Sequence, residues 1–124
     1  MEAIGNTPVV RLGRVFATGN VVAKLEFMNP GGSIKDRMVR AMLRKLPEQA
    51  TRVVEASSGN TGAALAMASA VLGLDCEVAV PVATSREKIR RIEAYGATVR
   101  VCHAERGPDY HATPPDIARP GRAP

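Results

Sequence analysis

The sequence predicts an α/β domain: a parallel sheet of about four strands with flanking helices, arranged in three layers. Two observations carry that expectation. Short β-branched runs alternate with segments of helical character over residues 21–101, and each helical segment has its own start and stop residues. Strands spaced by helices in this way are joined most simply as right-handed parallel crossovers.

In order, β-branched runs fall at residues 8–12, 21–26, 52–55, 77–80 and 98–101. The first helical segment covers residues 33–46. Ser33-x-x-Asp36 reads as a capping box at its start, Pro47 stops it, and Ile34, Met38, Met42 and Leu46 share the face expected to be core. The second segment, residues 61–72, carries AALAMASAV and no charge. It is expected to be buried on most sides, and Gly73 ends it. The third starts at a second capping box, Thr84-x-x-Glu87, and closes at Gly96; Ile89 and Ile92 face inward, and Glu87 can pair with Arg91 at i,i+4. Beyond it the pattern dies. Residues 104–124 hold five of the nine prolines without apolar periodicity, so the reading is one domain over residues 1–103 and an irregular, Pro-rich tail over 104–124.

With 124 residues, 45 % of them hydrophobic, the chain can bury one core, and at 3 % aromatics that core must come from Ala, Val, Leu, Ile and Met. The net charge of +5 is spread along the chain with no interleaved aromatics, which argues against a nucleic-acid partner. No stretch approaches the roughly 20 apolar residues that span a bilayer, and Met1-Glu2-Ala3 opens without the apolar run of a signal peptide. Cys76 and Cys102 lie in neighbouring strands without metal-ligand spacing. They read as free thiols, so no metal is expected and a reducing cytoplasm fits.

Two strand-to-helix turns carry the chemistry. The first, NPGGSIKDR (residues 29–37), sets Lys35 at the mouth of a helix; the second, ASSGNTG (residues 56–62), offers the hydroxyls of Ser57, Ser58 and Thr61 and the amide of Asn60. Ligands of open parallel sheets gather where such turns lie, at the carboxyl ends of the strands. Neither turn matches a dinucleotide fingerprint or a phosphate loop. A lysine in a first helical turn is ordinarily a solvated residue, and a Ser-rich turn ordinarily caps its helix. Together they suit an amine nucleophile facing a carboxylate. Gly31 and Gly32, lacking Cβ atoms, are expected to let the backbone approach a ligand closely. Asn6, Thr7, Asp36 and Arg37 are read as structural.

Four blocks now resemble a family: IGNTPVVRL (4–12), KLEFMNPGGSIKDR (24–37), EASSGNTGAALAMA (55–68) and EKIRRIEAYGATV (87–99). They are similar, in order, to the N-terminal part of the cysteine synthase and cystathionine β-synthase family of pyridoxal-phosphate enzymes, fold type II. The resemblance implies pyridoxal 5′-phosphate as cofactor and Lys35 as the lysine that bonds it as a Schiff base and moves the α-proton. It implies that Asn60 hydrogen-bonds the cofactor's ring oxygen, and that Ser57, Ser58, Asn60 and Thr61 clasp the carboxylate of an amino-acid substrate.

The implied reaction is β-replacement on an activated serine, with O-acetylserine or O-phosphoserine plus sulfide giving cysteine as the leading case. Cystathionine β-synthase and diaminopropionate synthase activities share these blocks and stay open. So does a non-catalytic fragment, because family members are longer, and their phosphate loop and the residue facing the pyridine nitrogen have no counterpart here. Between Lys35 and Glu55 the chain is also a few residues shorter than the family spacing. The intact family enzyme is expected to be a homodimer. The chain itself is expected to expose apolar surface and self-associate, with the Ala-rich helix and the 8–12 strand contributing.

Overall fold

The five β-branched runs become five strands and the three helical segments three helices. The computed structural model describes residues 1–16 and 18–102; His103, and the 104–124 tail with His111, lie outside them. The order is β1 (Val9–Arg11), β2 (Val22–Lys24), α1 (Lys35–Leu43), β3 (Arg52–Ala56), α2 (Asn60–Leu72), β4 (Asp75–Pro81), α3 (Arg86–Ala94) and β5 (Thr98–Cys102). A single 3₁₀ turn at Glu26–Met28 links β2 to the lysine turn.

The α/β class stands, with one correction to the strand count. Three strands, not four, form the parallel sheet, in the order β3-β4-β5 with Val53 beside Cys76 and Val78 beside Val99. The run at 21–26 instead pairs antiparallel with β1, Val10 opposite Ala23. Flanking bonds from Leu12 N–H to Val21 O and from Leu25 N–H to Pro8 O lengthen this hairpin, each 3.0 Å. Periodicity marks a strand but not its partner, and the nearer partner won.

Both crossovers advance in the same direction across the sheet, so their right-handedness places α2 and α3 on one face, where α1 lies beside α2. The opposite face presents Glu77, nearly buried between the guanidinium groups of Arg52 and Arg100. Cys76 points to the helix face. Cys102, at an odd offset in register, points away from it, and both thiols are free.

α2 is the centre of the core. From Gly62 through Ser69 every residue is buried, and Gly73 closes the helix in the left-handed conformation at φ +69°. Its small side chains let Val78 of β4, Val39 and Leu43 of α1, and Ile92 of α3 approach closely.

The first helix faces inward differently from its sequence pattern. Val39 and Leu43 are buried, while Ile34, Met38 and Met42 are exposed and Leu46 is only partly covered. The two stripes are one residue, about 100° of rotation, apart. Asp36, completely buried, shares the inward face. Its task explains the rotation, as the lysine turn shows.

Candidate active site

Lys35 is the first residue of α1 and is half-buried. α1 leads through a short connection into the start of β3, and β3 leads through residues 57–59 into α2. The two helices consequently both begin at the carboxyl end of the sheet. α3 meets both turns, Arg91 at the Gly31 carbonyl and Ile92 beside Gly62, so the turn before Lys35 lies near the start of α2, which Ser57 and Ser58 precede and Asn60 and Thr61 open. Among the described residues the Lys35 amine makes no ion pair and no hydrogen bond. Its backbone N–H donates to Ser33 Oγ at 3.2 Å.

The second turn is held from within. Ser57 Oγ accepts the N–H groups of Gly59 and Gly62, at 3.3 and 3.2 Å. That hydroxyl therefore shapes the helix start and keeps its own O–H to donate elsewhere. Asn60 and Thr61 open α2, and their N–H groups find no protein acceptor among the described residues. Free donors at a helix start suit an anion. Gly62 allows α2 to sit this close: a Cβ there would lie 2.8 Å from Val78 Cγ1 and 3.4 Å from Ile92 Cδ1.

Neither expected capping box forms. Asp36 reaches past Ser33 and accepts the Gly31 N–H at 2.5 Å, leaving its Oδ1 buried without a partner. α3 starts at Arg86 behind Ser85, and the Thr84 hydroxyl is likewise buried and unpartnered. The Glu87–Arg91 pair is absent too, since Arg91 donates instead to the Gly31 carbonyl. These contacts give Gly31 and Gly32 an internal reason to lack side chains. A Cβ on Gly31 would meet the Asp36 carboxylate at 2.5 Å. One on Gly32, where φ is +78°, would meet Arg91 Nη2 at 2.7 Å.

A second network braces the turn from the other side. Glu26 accepts from Arg37 Nε and Nη2 at 2.8 and 3.0 Å, from Asn29 Nδ2 at 2.8 Å and from Thr7 Oγ1 at 3.2 Å. Asn29 Oδ1 in turn accepts the Gly5 N–H at 2.9 Å, next to Asn6 at φ +48°. Thr7 and Arg37 make their side-chain hydrogen bonds within this network. Glu26, Asn29 and Arg91 were not foreseen as part of the site. The first two stand three apart in the quoted 24–37 block, a spacing that could have marked them; Arg91 has no local signal.

The donor set fits the expected cofactor in two respects: a half-buried amine without a partner, and unpaired N–H groups at the same edge. No group of three His, Cys, Asp or Glu among the described residues could hold a metal. No helix there is long and apolar enough to cross a membrane.

Comparison with known proteins supports the same assignment. The family model described as pyridoxal-phosphate dependent enzyme matches residues 1–119. A cysteine synthase of Aquifex aeolicus is 39 % identical over 119 residues, covering 88 % of this chain and 36 % of its own length. A cysteine synthase of a Flavobacterium strain is 40 % identical over 113 residues, covering 86 % and 37 %. Among solved structures, O-ureido-L-serine synthase superposes with a TM-score of 0.74 at 36 % identity, over 82 % of this chain and 34 % of that one. A hydrogen sulfide-producing enzyme from Fusobacterium nucleatum gives 0.72 at 39 %, over 81 % and 35 %. The chain thus spans a little over a third of the curated relatives it matches. With its fold, its lysine turn and this match over nearly its whole length, the chain belongs to the family of pyridoxal-phosphate-dependent enzymes.

Proposed function

We propose that this chain supplies the nucleophile and the carboxylate clasp for β-replacement on an activated serine, most closely of the cysteine synthase type. One observation carries the reading: an unpaired, half-buried lysine amine at the sheet edge where α2 offers free N–H groups. Pyridoxal phosphate, when bound, supplies the electron sink for chemistry at the substrate's α-carbon.

The residues here do the rest. Lys35 Nζ would hold the cofactor and would carry the α-proton. The Asn60 side-chain amide donates to the cofactor's ring oxygen. The N–H groups of Asn60 and Thr61, with the Ser57, Ser58 and Thr61 hydroxyls, receive the substrate carboxylate. Ser57 can do so while capping α2, because its acceptor and donor sites are distinct.

Borohydride trapping with pyridoxal phosphate tests this, followed by peptide mapping. Lys45 and Lys88 are exposed, and Lys24 is occupied with the Thr7 carbonyl. On accessibility alone the label would favour Lys45 and Lys88. The proposal expects Lys35 to dominate and Lys35→Arg to abolish that label, since a guanidinium forms no such bond. Label spread evenly over the four lysines would reject it in favour of a non-catalytic fragment.

A further inference from the structure

The Gly31 peptide is gripped at both of its polar ends. Asp36, one residue beyond the lysine, takes its N–H at 2.5 Å, and Arg91 of α3 donates to its carbonyl. The two grips are not alike. Asp36 belongs to the helix that Lys35 begins, so its bond is local. Arg91 lies 60 residues further along the chain. The next residue on α3, Ile92, is fully buried and would touch any side chain placed at Gly62, in the first turn of α2. α3 therefore contacts both turns of the site with adjacent residues: Arg91 on the lysine side, Ile92 on the carboxylate side.

From this geometry we infer that Arg91 is a positioning residue, fixing the Lys35 turn relative to the Ser57–Thr61 turn through the Gly31 carbonyl. The inference rests on Lys35 being the cofactor-bearing amine. Lys35 leaves a helix start whose preceding turn contains two glycines, one of them in the left-handed region at φ +78°. Such a turn has more backbone freedom than any other residue pair would give it. Asp36 ties the turn to α1 alone. Among the described residues, Arg91 is the side chain from beyond α1 that bonds the backbone of the glycine pair. Its guanidinium also fills the space where a Gly32 side chain would stand, 2.7 Å from that Cβ position. The planar fork suits this double duty better than a free ammonium.

Arg91 sits on the exposed side of α3, so Arg91→Ala removes the grip at a position where alanine favours helix. Each variant of the full chain is treated with pyridoxal phosphate and borohydride, and the trapping rate is mapped at each lysine. Circular dichroism melting accompanies every variant. The unmodified chain should label Lys35 first. In Arg91→Ala the Lys35 rate should fall by on the order of tenfold to a hundredfold, since a misplacement of about 1 Å can cost about a hundredfold. Rates at Lys45 and Lys88 should hold, which separates lost positioning from lost folding. Arg91→Lys, which can still donate to the Gly31 carbonyl but lacks the planar fork, should recover part of the rate. If the alanine chain melts early, Arg91→Met keeps the apolar stem without the donor and carries the same comparison.

An undiminished Lys35 rate in a folded Arg91→Ala chain overturns the inference and leaves the proposed function standing. Failure of Arg91→Lys to recover any rate overturns it as well. If the unmodified chain shows no preference for Lys35, the proposed function fails and the inference falls with it.

Discussion

The Glu26 carboxylate accepts from Arg37, Asn29 and Thr7 together, tying the 5–7 loop and the 29–32 turn to α1. Hydrogen bonding from Arg37 foremost, then from Asn29 and Thr7, outweighs burial and brings its pKa from 4.5 down to about 2. A carboxyl depressed in the folded state stabilises above its ordinary range and loses that contribution as pH falls through the folded value. Unfolding midpoints should therefore drop between about pH 5 and about pH 2, and Glu26→Gln should flatten that limb while weakening the protein near neutrality. An unchanged acid slope in the variant would remove Glu26 from the account. Asp36 acts in the opposite sense: burial pushes its carboxyl up, so its cost grows as pH rises above the ordinary aspartate value. The Glu26 charge is the last of the causes raising Asp36, so most of that contribution cancels when variant is compared with parent. The two strand-to-helix turns, with Lys35 and with Ser57–Thr61, could be located from the sequence because each is a contiguous motif. Asp36 was misread as a cap because its partner, Gly31, lies outside the capping register.

At the level of elements, α2 is pressed to the sheet at Gly62. Alanine would ordinarily help a helix there by roughly 1 kcal/mol. Overpacking against a fixed core costs about 1–3 kcal/mol. The neighbours decide which effect wins. Val78 is fully buried, and the Ser57 carbonyl, 3.2 Å from the Cβ position, is backbone that cannot turn aside. Gly62→Ala should destabilise by about 1 kcal/mol in urea titration, and a gain in stability would show that α2 has room to move. The boundaries of α2 were legible because its lack of charge and its terminal glycine are local facts. Which face of α1 turns inward was not. Ile34, Met38 and Met42 make a regular stripe, yet the buried Asp36 selects the row through Val39 and Leu43. A periodicity argument that places only apolar residues inside cannot find that row. The hairpin of β1 and β2 was hidden for a similar reason, since strand partnership is long-range information.

Across the whole molecule, exposed apolar side chains are concentrated rather than scattered. Ile34, Met38 and Met42 line one side of α1, and Phe27 and Met28 precede them on the 3₁₀ turn. Val9, Val10 and Val22 are uncovered on the hairpin. Patches of this kind promote association. Sedimentation velocity should show mass rising with concentration, together with binding of a hydrophobic dye; a clean monomer that binds no dye would contradict it. The expected contributors need one revision. The 8–12 strand keeps its place, but the middle of α2 is interior, and its exposed apolar side chains are those of its last turn, Val71 and Leu72.

The reach of Arg91 also sets an order of assembly. As the chain leaves a ribosome, Lys35 and the two glycines emerge well before α3, and Gly31 must wait for a partner 60 residues downstream. Contacts of such sequence separation are slow to close, because loop entropy is lost before they form. The hairpin, α1 and the first crossover can settle beforehand, but the lysine turn cannot. The turn before Lys35 is fixed at Gly31 only once α3 has formed.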